Sequence, residues 1–208
     1  MDVFVSVGSN LSSRQNTLVD ALEDQLRRIE LSPHTVGRNN FSSKAPLDAV
    51  TDLMNTCSGV VIVALERFYF PRGEERRGSS KHQMLTEISL PTPWNQIEAA
   101  MAHSRGLPLL VIIDERLRQD GLLGMANGWY VHVVDVESET FNSPAFTQVL
   151  SDWRTRLVAV KRVNIPDPAT LTLRELFGAL KPAQLWAILV AIVGALGVAF
   201  AVGAKLFS

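Results

Sequence analysis

The stretch LPTPWNQIEAAMAHSRGLPLLVIID, Leu90–Asp114, sets Trp94 and Glu98 four residues apart. On a helix, that spacing puts an indole and a carboxylate on one face. A carboxylate held against an aromatic wall can stabilise positive charge developing on a sugar ring. It can also attack the anomeric carbon. The ordinary alternative is that Glu98 belongs to a solvated helix face.

The helix that must carry this pair has a legible start. Thr92 is a suitable N-cap, and Pro93 fits the first helical position. The run LPLLVII that follows is a buried strand, and GVVIVAL upstream is another, covered on both faces. DVFVSV reads as a first strand and HTVGR as a short second one. YVHVVDV is a fifth strand. Helices are expected from about Arg14 to Ile29, with Leu18, Leu22, Leu26 and Ile29 on one face, from about Pro46 to Asn55, and from Ala145 to Lys161. Five strands alternating with helices predict an α/β fold with a doubly wound parallel sheet. The segment from Arg67 to Pro91, RFYFPRGEERRGSSKHQMLTEISLP, is charged and turn-rich and reads as a long loop. Its Arg72, Arg76, Arg77 and Lys81 either contact phosphates or are simply solvated.

An open parallel sheet binds ligands beyond the carboxyl ends of its strands, where strand order reverses. That rule selects a rim. Gly8, Ser9 and Asn10 follow the first strand. Arg38, Asn39 and Asn40 follow the second, with Ser42, Ser43 and Lys44 beyond them. Arg67 follows the third and Asp114 the fourth. Small, amide and basic side chains of this kind suit a nucleotide. The substrate-binding candidates are Gly8, Ser9, Asn10, Arg38, Asn39, Arg67, Trp94 and Asn95, with Glu98 as the catalytic candidate. No metal is expected, because His34, His82, His103 and His132 lack ligand spacing. There is no GxGxxG, no phosphate-loop motif and no serine nucleophile elbow.

Composition bounds the partners. The 208 residues carry a formal charge of −1, which gives no reason to expect nucleic acid. Cys57 is the lone cysteine, so no intramolecular disulfide can form, and a reducing compartment fits. The start, MDVFVSVGSN, has neither the basic nor the apolar region of a signal peptide.

The C-terminal part is different. LWAILVAIVGALGVAFAVGA, residues 185–204, has no charge and, at about 20 residues, can cross a hydrocarbon core of roughly 30 Å. It reads as a transmembrane helix, the other reading being a buried C-terminal helix. Arg154, Arg156, Lys161, Arg162, Arg174 and Lys181 outnumber the three acidic residues between Ser151 and Lys181. The positive-inside rule then places the N-terminal part in the cytoplasm, as a single-pass protein of the cytoplasmic (inner) membrane. Ala187, Ala191, Ala195, Ala199 and Gly203 form a small-residue stripe suited to self-association into a homo-oligomer. The same stripe can also arise by chance. The expected organisation is a nucleotide-binding domain at 1–162, a linker with a juxtamembrane amphipathic helix at 163–184, and the transmembrane helix at 185–204. The amphipathic helix lies either on the bilayer or on the soluble domain.

DVFVSVGSN followed by a helix resembles the opening of a Toll/interleukin-1 receptor (TIR) domain. CSGVVIVALE, a long loop and PTPWNQIEAAMA resemble the third strand and the W-x-x-x-E helix start of bacterial TIR proteins. The same order is similar to the nucleoside 2-deoxyribosyltransferases. The resemblance covers roughly residues 2–160 and implies a flavodoxin-like, TIR-like fold. It implies that Glu98 works at an N-glycosidic bond, with Trp94 and Asn95 shaping the pocket and Gly8–Asn10 facing ribose or phosphate. Where bacterial TIR proteins carry Ser or Cys after the motif Trp, this chain has Asn95. Such proteins often cleave NAD in antiviral defence. The expected activity is therefore that of a membrane-anchored NAD nucleosidase or nucleotide N-glycosidase, with NAD or another nucleotide as substrate and no separate cofactor. The alternative is a non-catalytic sensor that binds a nucleotide signal, oligomerises and disrupts the membrane through its helix. A third reading is an adaptor that only assembles with partners.

Overall fold

The computed structural model describes residues 1–125 and 128–159. The transmembrane, stripe and amphipathic-helix expectations for residues 163–204 lie outside them. Among the described residues, no helix is long and apolar enough to cross a membrane.

Among the described residues, strands and helices follow in the order β1 (Asp2–Val7), α1 (Ser13–Arg28), β2 (Ser32–His34), α2 (Pro46–Thr56), β3 (Val60–Ala64), β4 (Phe68–Glu75), β5 (Gln83–Leu90), α3 (Pro93–Ser104), β6 (Leu109–Asp114), β7 (Tyr130–Val134) and α4 (Pro144–Ala159). The main sheet has five strands in the order β2-β1-β3-β6-β7, all parallel. This is the flavodoxin-like order, with the reversal between β1 and β3.

Strand alternation builds two cores, one on each face. Val3 and Val5 of β1, Val61 and Val63 of β3, and Leu110 and Ile112 of β6 pack with Leu18, Leu22 and Leu26 of α1 and Phe146, Leu150 and Trp153 of α4. Phe4, Val60, Ile62, Val111 and Ile113 meet Val50 and Met54 of α2 and Ala99 and Ala102 of α3. The sheet is thus doubly wound, as its sequence predicts. All five residues of β3 are buried, at roughly 1.5–3 kcal/mol for each large apolar side chain removed from water. The chain packs very closely at Gly59, just before β3. A Cβ there would lie 2.2 Å from Leu157 Cδ2, 3.1 Å from the Pro108 carbonyl and 3.1 Å from Trp153.

Two elements differ from the sequence expectation. The second strand ends at His34 rather than running through HTVGR. The Thr35 carbonyl accepts from the amides of Arg38, Asn39 and Asn40, so the chain turns there. The Asn39 side chain locks the turn by accepting from Thr35 N at 2.7 Å and donating to Pro33 O at 3.0 Å. The second difference is larger. Residues 67–91 are not a loop: Phe68–Glu75 and Gln83–Leu90 pair antiparallel as a separate two-stranded sheet. Both faces of this hairpin are largely exposed, with Phe68 and Phe70 stacked at 6.4 Å between ring centroids. Arg72 lies within β4. At the tip, Arg76 and Arg77 face Glu75 and Glu74 at 3.7 and 3.5 Å. A long-range contact steadies the hairpin: Arg118 donates to Glu75 at 2.8 Å.

Candidate active site at the switch point

The residues around Glu98 come together through the winding of the sheet. β1 and β3 are neighbours whose onward connections diverge, which opens a crevice beyond Val7 and Ala64. α3 begins above that crevice. The Thr92 hydroxyl caps it by accepting from Trp94 N at 3.4 Å, with Pro93 in the first turn, as expected.

A cavity of about 500 Å³ occupies the crevice. Its floor is Val7, Gly8 and Ser9, and its α3 wall is Trp94, Ile97 and Glu98. Val36, Pro46 and Val50 close the side of α2, and Arg67 reaches in from the end of β3. A smaller cavity of about 240 Å³ adjoins it, sharing Gly8, Ser9, Arg67 and Thr92, and adds Asn10. The larger volume suits a nucleoside-sized group.

Glu98 is only 7% exposed, whereas Trp94 is 39% exposed. The carboxylate is therefore part of the interior and not of a solvated helix face. Burial pushes its pKa from 4.5 up to about 7, against the opposing effect of a hydrogen bond from Ser6. At neutral pH the group is close to half ionised, so it can hold or release a proton without a large cost. No ion pair engages Glu98 among the described residues.

Asn95 is buried at 1% exposure and lies beneath the cavity wall. Its Nδ2 donates to Ser6 Oγ at 2.9 Å and approaches the carbonyls of Ser6 and Val63 at 3.5 Å. Asn95 thus ties α3 to β1 and β3. Ser6, also 1% exposed, has no part in the sequence reading. Its signal is a hydroxyl two residues after Phe4, on the strand face that packs against α2 and α3. The apolar wall of Val36, Pro46 and Val50 also goes unread in the sequence.

Of the expected binding residues, Gly8, Ser9, Arg67 and Trp94 line the main cavity, and Asn10 lines the smaller one. Arg67 Nη1 donates to Ser9 O at 3.3 Å. Arg38 and Asn39 line neither cavity. Arg38 turns toward α1, pairing with Asp20 and lying 3.2 Å from the buried Glu23 carboxylate. Asn39 is spent on the turn after β2. Asp114 ends β6 fully buried, with both carboxylate oxygens engaged by Arg116 at 2.8 and 3.1 Å. Among the described residues, no cluster of metal-ligating side chains forms.

No family model matches the chain, and no curated protein matches it. Solved structures do align with it. A CMP N-glycosidase of Clostridium botulinum, BcmB, aligns over 73% of this chain and 98% of its own, at 14% identity and a TM-score of 0.43. The TIR domains of the activated Roq1 resistosome align over 92% and 98%, at 16% identity and 0.36. The flavoenzyme FerB of Paracoccus denitrificans, an NAD(P)H:(acceptor) oxidoreductase, aligns over 76% and 93%, at 13% identity and 0.35. Likeness at this level carries no argument about chemistry, which rests here on Glu98 and its neighbours.

Proposed function

We propose that this chain hydrolyses the N-glycosidic bond of NAD or a related nucleotide, with Glu98 as the catalytic residue. One observation carries the reading: a buried carboxylate, with no ion-pair partner among the described residues, faces a nucleoside-sized cavity at the switch point of a parallel sheet. In the reaction the C1′–N bond breaks and its electron pair leaves with the base. Positive charge builds on the ribosyl ring, where the ionised Glu98 opposes it. Water then bonds to C1′ and gives up a proton, which passes to solvent when the leaving base is the neutral nicotinamide of NAD and to the departing base when the substrate is a nucleoside monophosphate. Trp94 gives the base or sugar an aromatic wall. Arg67 offers a guanidinium to a phosphate.

The test is release of free base from NAD and from nucleoside monophosphates, followed by chromatography. Wild type turns over at least one of them, and Glu98→Gln lowers the rate by about a hundredfold or more, the scale of losing a preorganised charge. Undiminished cleavage by the variant removes Glu98 from the mechanism. Tight nucleotide binding without turnover by wild type replaces this reading with that of a sensor. The uncharged segment 185–204 supports a tether to the cytoplasmic membrane as part of the same proposal.

A further inference from the structure

The crevice holds two cavities that share one wall. The larger, of about 500 Å³, contains Glu98, and the smaller, of about 240 Å³, lies beside it. Gly8, Ser9, Arg67 and Thr92 border both. Arg67 is the charged member of these four, and two contacts hold it on the shared wall. Its Nη1 donates to Ser9 O at 3.3 Å. Its guanidinium carbon stands over the Phe68 ring, 5.7 Å from the centroid, close enough for the ring to attract the charge. No carboxylate pairs with Arg67 among the described residues. A guanidinium has five N–H donors, so most of them remain for phosphate oxygens. Gly8 and Ser9, with little or no side chain, leave room beside it.

The smaller cavity has chemistry of its own. Phe68 gives it an aromatic wall and Glu66 a carboxylate. The Ser89 hydroxyl donates to Glu66 Oε2 at 2.5 Å, which steadies the carboxylate and still leaves it lone pairs. An aromatic ring stacks on a nucleobase of any identity. A carboxylate accepts hydrogen bonds from ribose hydroxyls and repels a phosphate put in their place. We propose that the two cavities are the two halves of a dinucleotide site, with the reacting nucleoside beside Glu98, the diphosphate on Arg67 and the second nucleoside against Phe68 and Glu66. This deepens the proposed reaction and rests on it for which half reacts. Phe68 and Glu66 are then specificity residues, remote from the bond that breaks. Phe68 selects a dinucleotide over a mononucleotide, and Glu66 selects a free 2′-hydroxyl on the second ribose over a 2′-phosphate.

The test is calorimetric titration of the full chain carrying Glu98→Gln, so that no ligand is consumed. NAD should bind at least about tenfold more tightly than nicotinamide mononucleotide, the gain from one stacked base. Adding Phe68→Ala should weaken NAD by about tenfold and the mononucleotide by no more than about twofold. Tyr69 is exposed on the same strand but borders neither cavity, so Tyr69→Ala should leave both affinities within about twofold. NADP should bind more weakly than NAD, and Glu66→Gln should narrow that gap. Equal affinity for NAD and the mononucleotide would overturn the second half-site, as would binding of neither. An equal loss of both ligands in Phe68→Ala would also overturn it, leaving Phe68 as a prop for Arg67. NADP bound as tightly as NAD would overturn the placing of the second ribose at Glu66. Where Phe68→Ala does not fold, Phe68→Leu takes its place with the same outcomes. The titration needs no turnover, so its result separates from that of the proposed reaction. Selective dinucleotide binding without base release by wild type sinks the reaction alone, and base release with equal affinities sinks the dinucleotide site alone.

Discussion

Replacing Glu98 with Gln should make the protein more stable as well as less active, and only in one pH range. Burial raises the Glu98 pKa from 4.5 to about 7. Between those values the folded chain holds a proton that the unfolded chain has released. Folding therefore takes up a proton there, and stability falls as pH rises through the window. Below pH 4.5 the group is neutral in both states and costs nothing. Above pH 7 it is charged in both, and the full cost is present. The gap of about 2.5 pH units corresponds to about 3 kcal/mol at 1.36 kcal/mol per unit. The substituted amide has no charge to desolvate. Urea denaturation of both proteins from pH 4 to pH 8, followed by tryptophan fluorescence, should give curves parallel below pH 4.5. They should then diverge until Glu98→Gln is ahead by about 2–3 kcal/mol. A constant difference across that range would refute the argument, because the carboxylate would then titrate alike folded and unfolded.

The remaining predictions concern the scaffold. Gly59→Ala should destabilise by about 1–3 kcal/mol, since the new methyl meets Leu157, Trp153 and the Pro108 carbonyl; an unchanged denaturation midpoint would show that α4 can shift at no cost. Arg38→Met should lower stability by about 1–3 kcal/mol, because Arg38 holds Asp20 and Glu23 of α1, while nucleotide KM stays the same. A raised KM with unaltered stability would instead put Arg38 in the site.

What the sequence reveals depends on what each segment buries. β3 and β6 are continuous apolar runs because both of their faces are covered, and the apolar positions of α1 repeat at the helical spacing because only one face of that helix is buried. Thr92 and Pro93 announce the start of α3 through backbone chemistry alone. The hairpin escapes notice because β4 and β5 have no core-facing side. Without one, no alternation is imposed, and charges and aromatics mix freely. Trp94 and Glu98 are found by spacing, and Gly8, Ser9 and Arg67 by position after a strand. The same positional rule brings in Arg38 and Asn39. It fails there because the chain turns at Thr35, sending one side chain to α1 and the other into the turn. Ser6 and Asn95 are hidden for another reason. Their importance comes from meeting each other across α3 and β1, and neither one has a pattern of its own.

The hairpin leaves and rejoins the main chain at nearly the same point, with Arg67 N donating to Leu90 O at 3.0 Å. Residues 68–88 are therefore an excursion whose base is tied down by the buried Ser89, which donates to Glu66 at 2.5 Å and accepts from Arg118 N at 3.1 Å. Removing them and bridging Arg67 to Ser89 with a short turn keeps those ties, because the two ends already lie side by side. Loop-closure entropy sets little barrier to lengthening or shortening such an excursion. One flank of the smaller cavity includes Phe68, so exchanging the excursion would change what borders the crevice and leave Glu98 where it is. Variation in ligand preference could thus accumulate in a part whose loss or replacement leaves the five-stranded sheet intact.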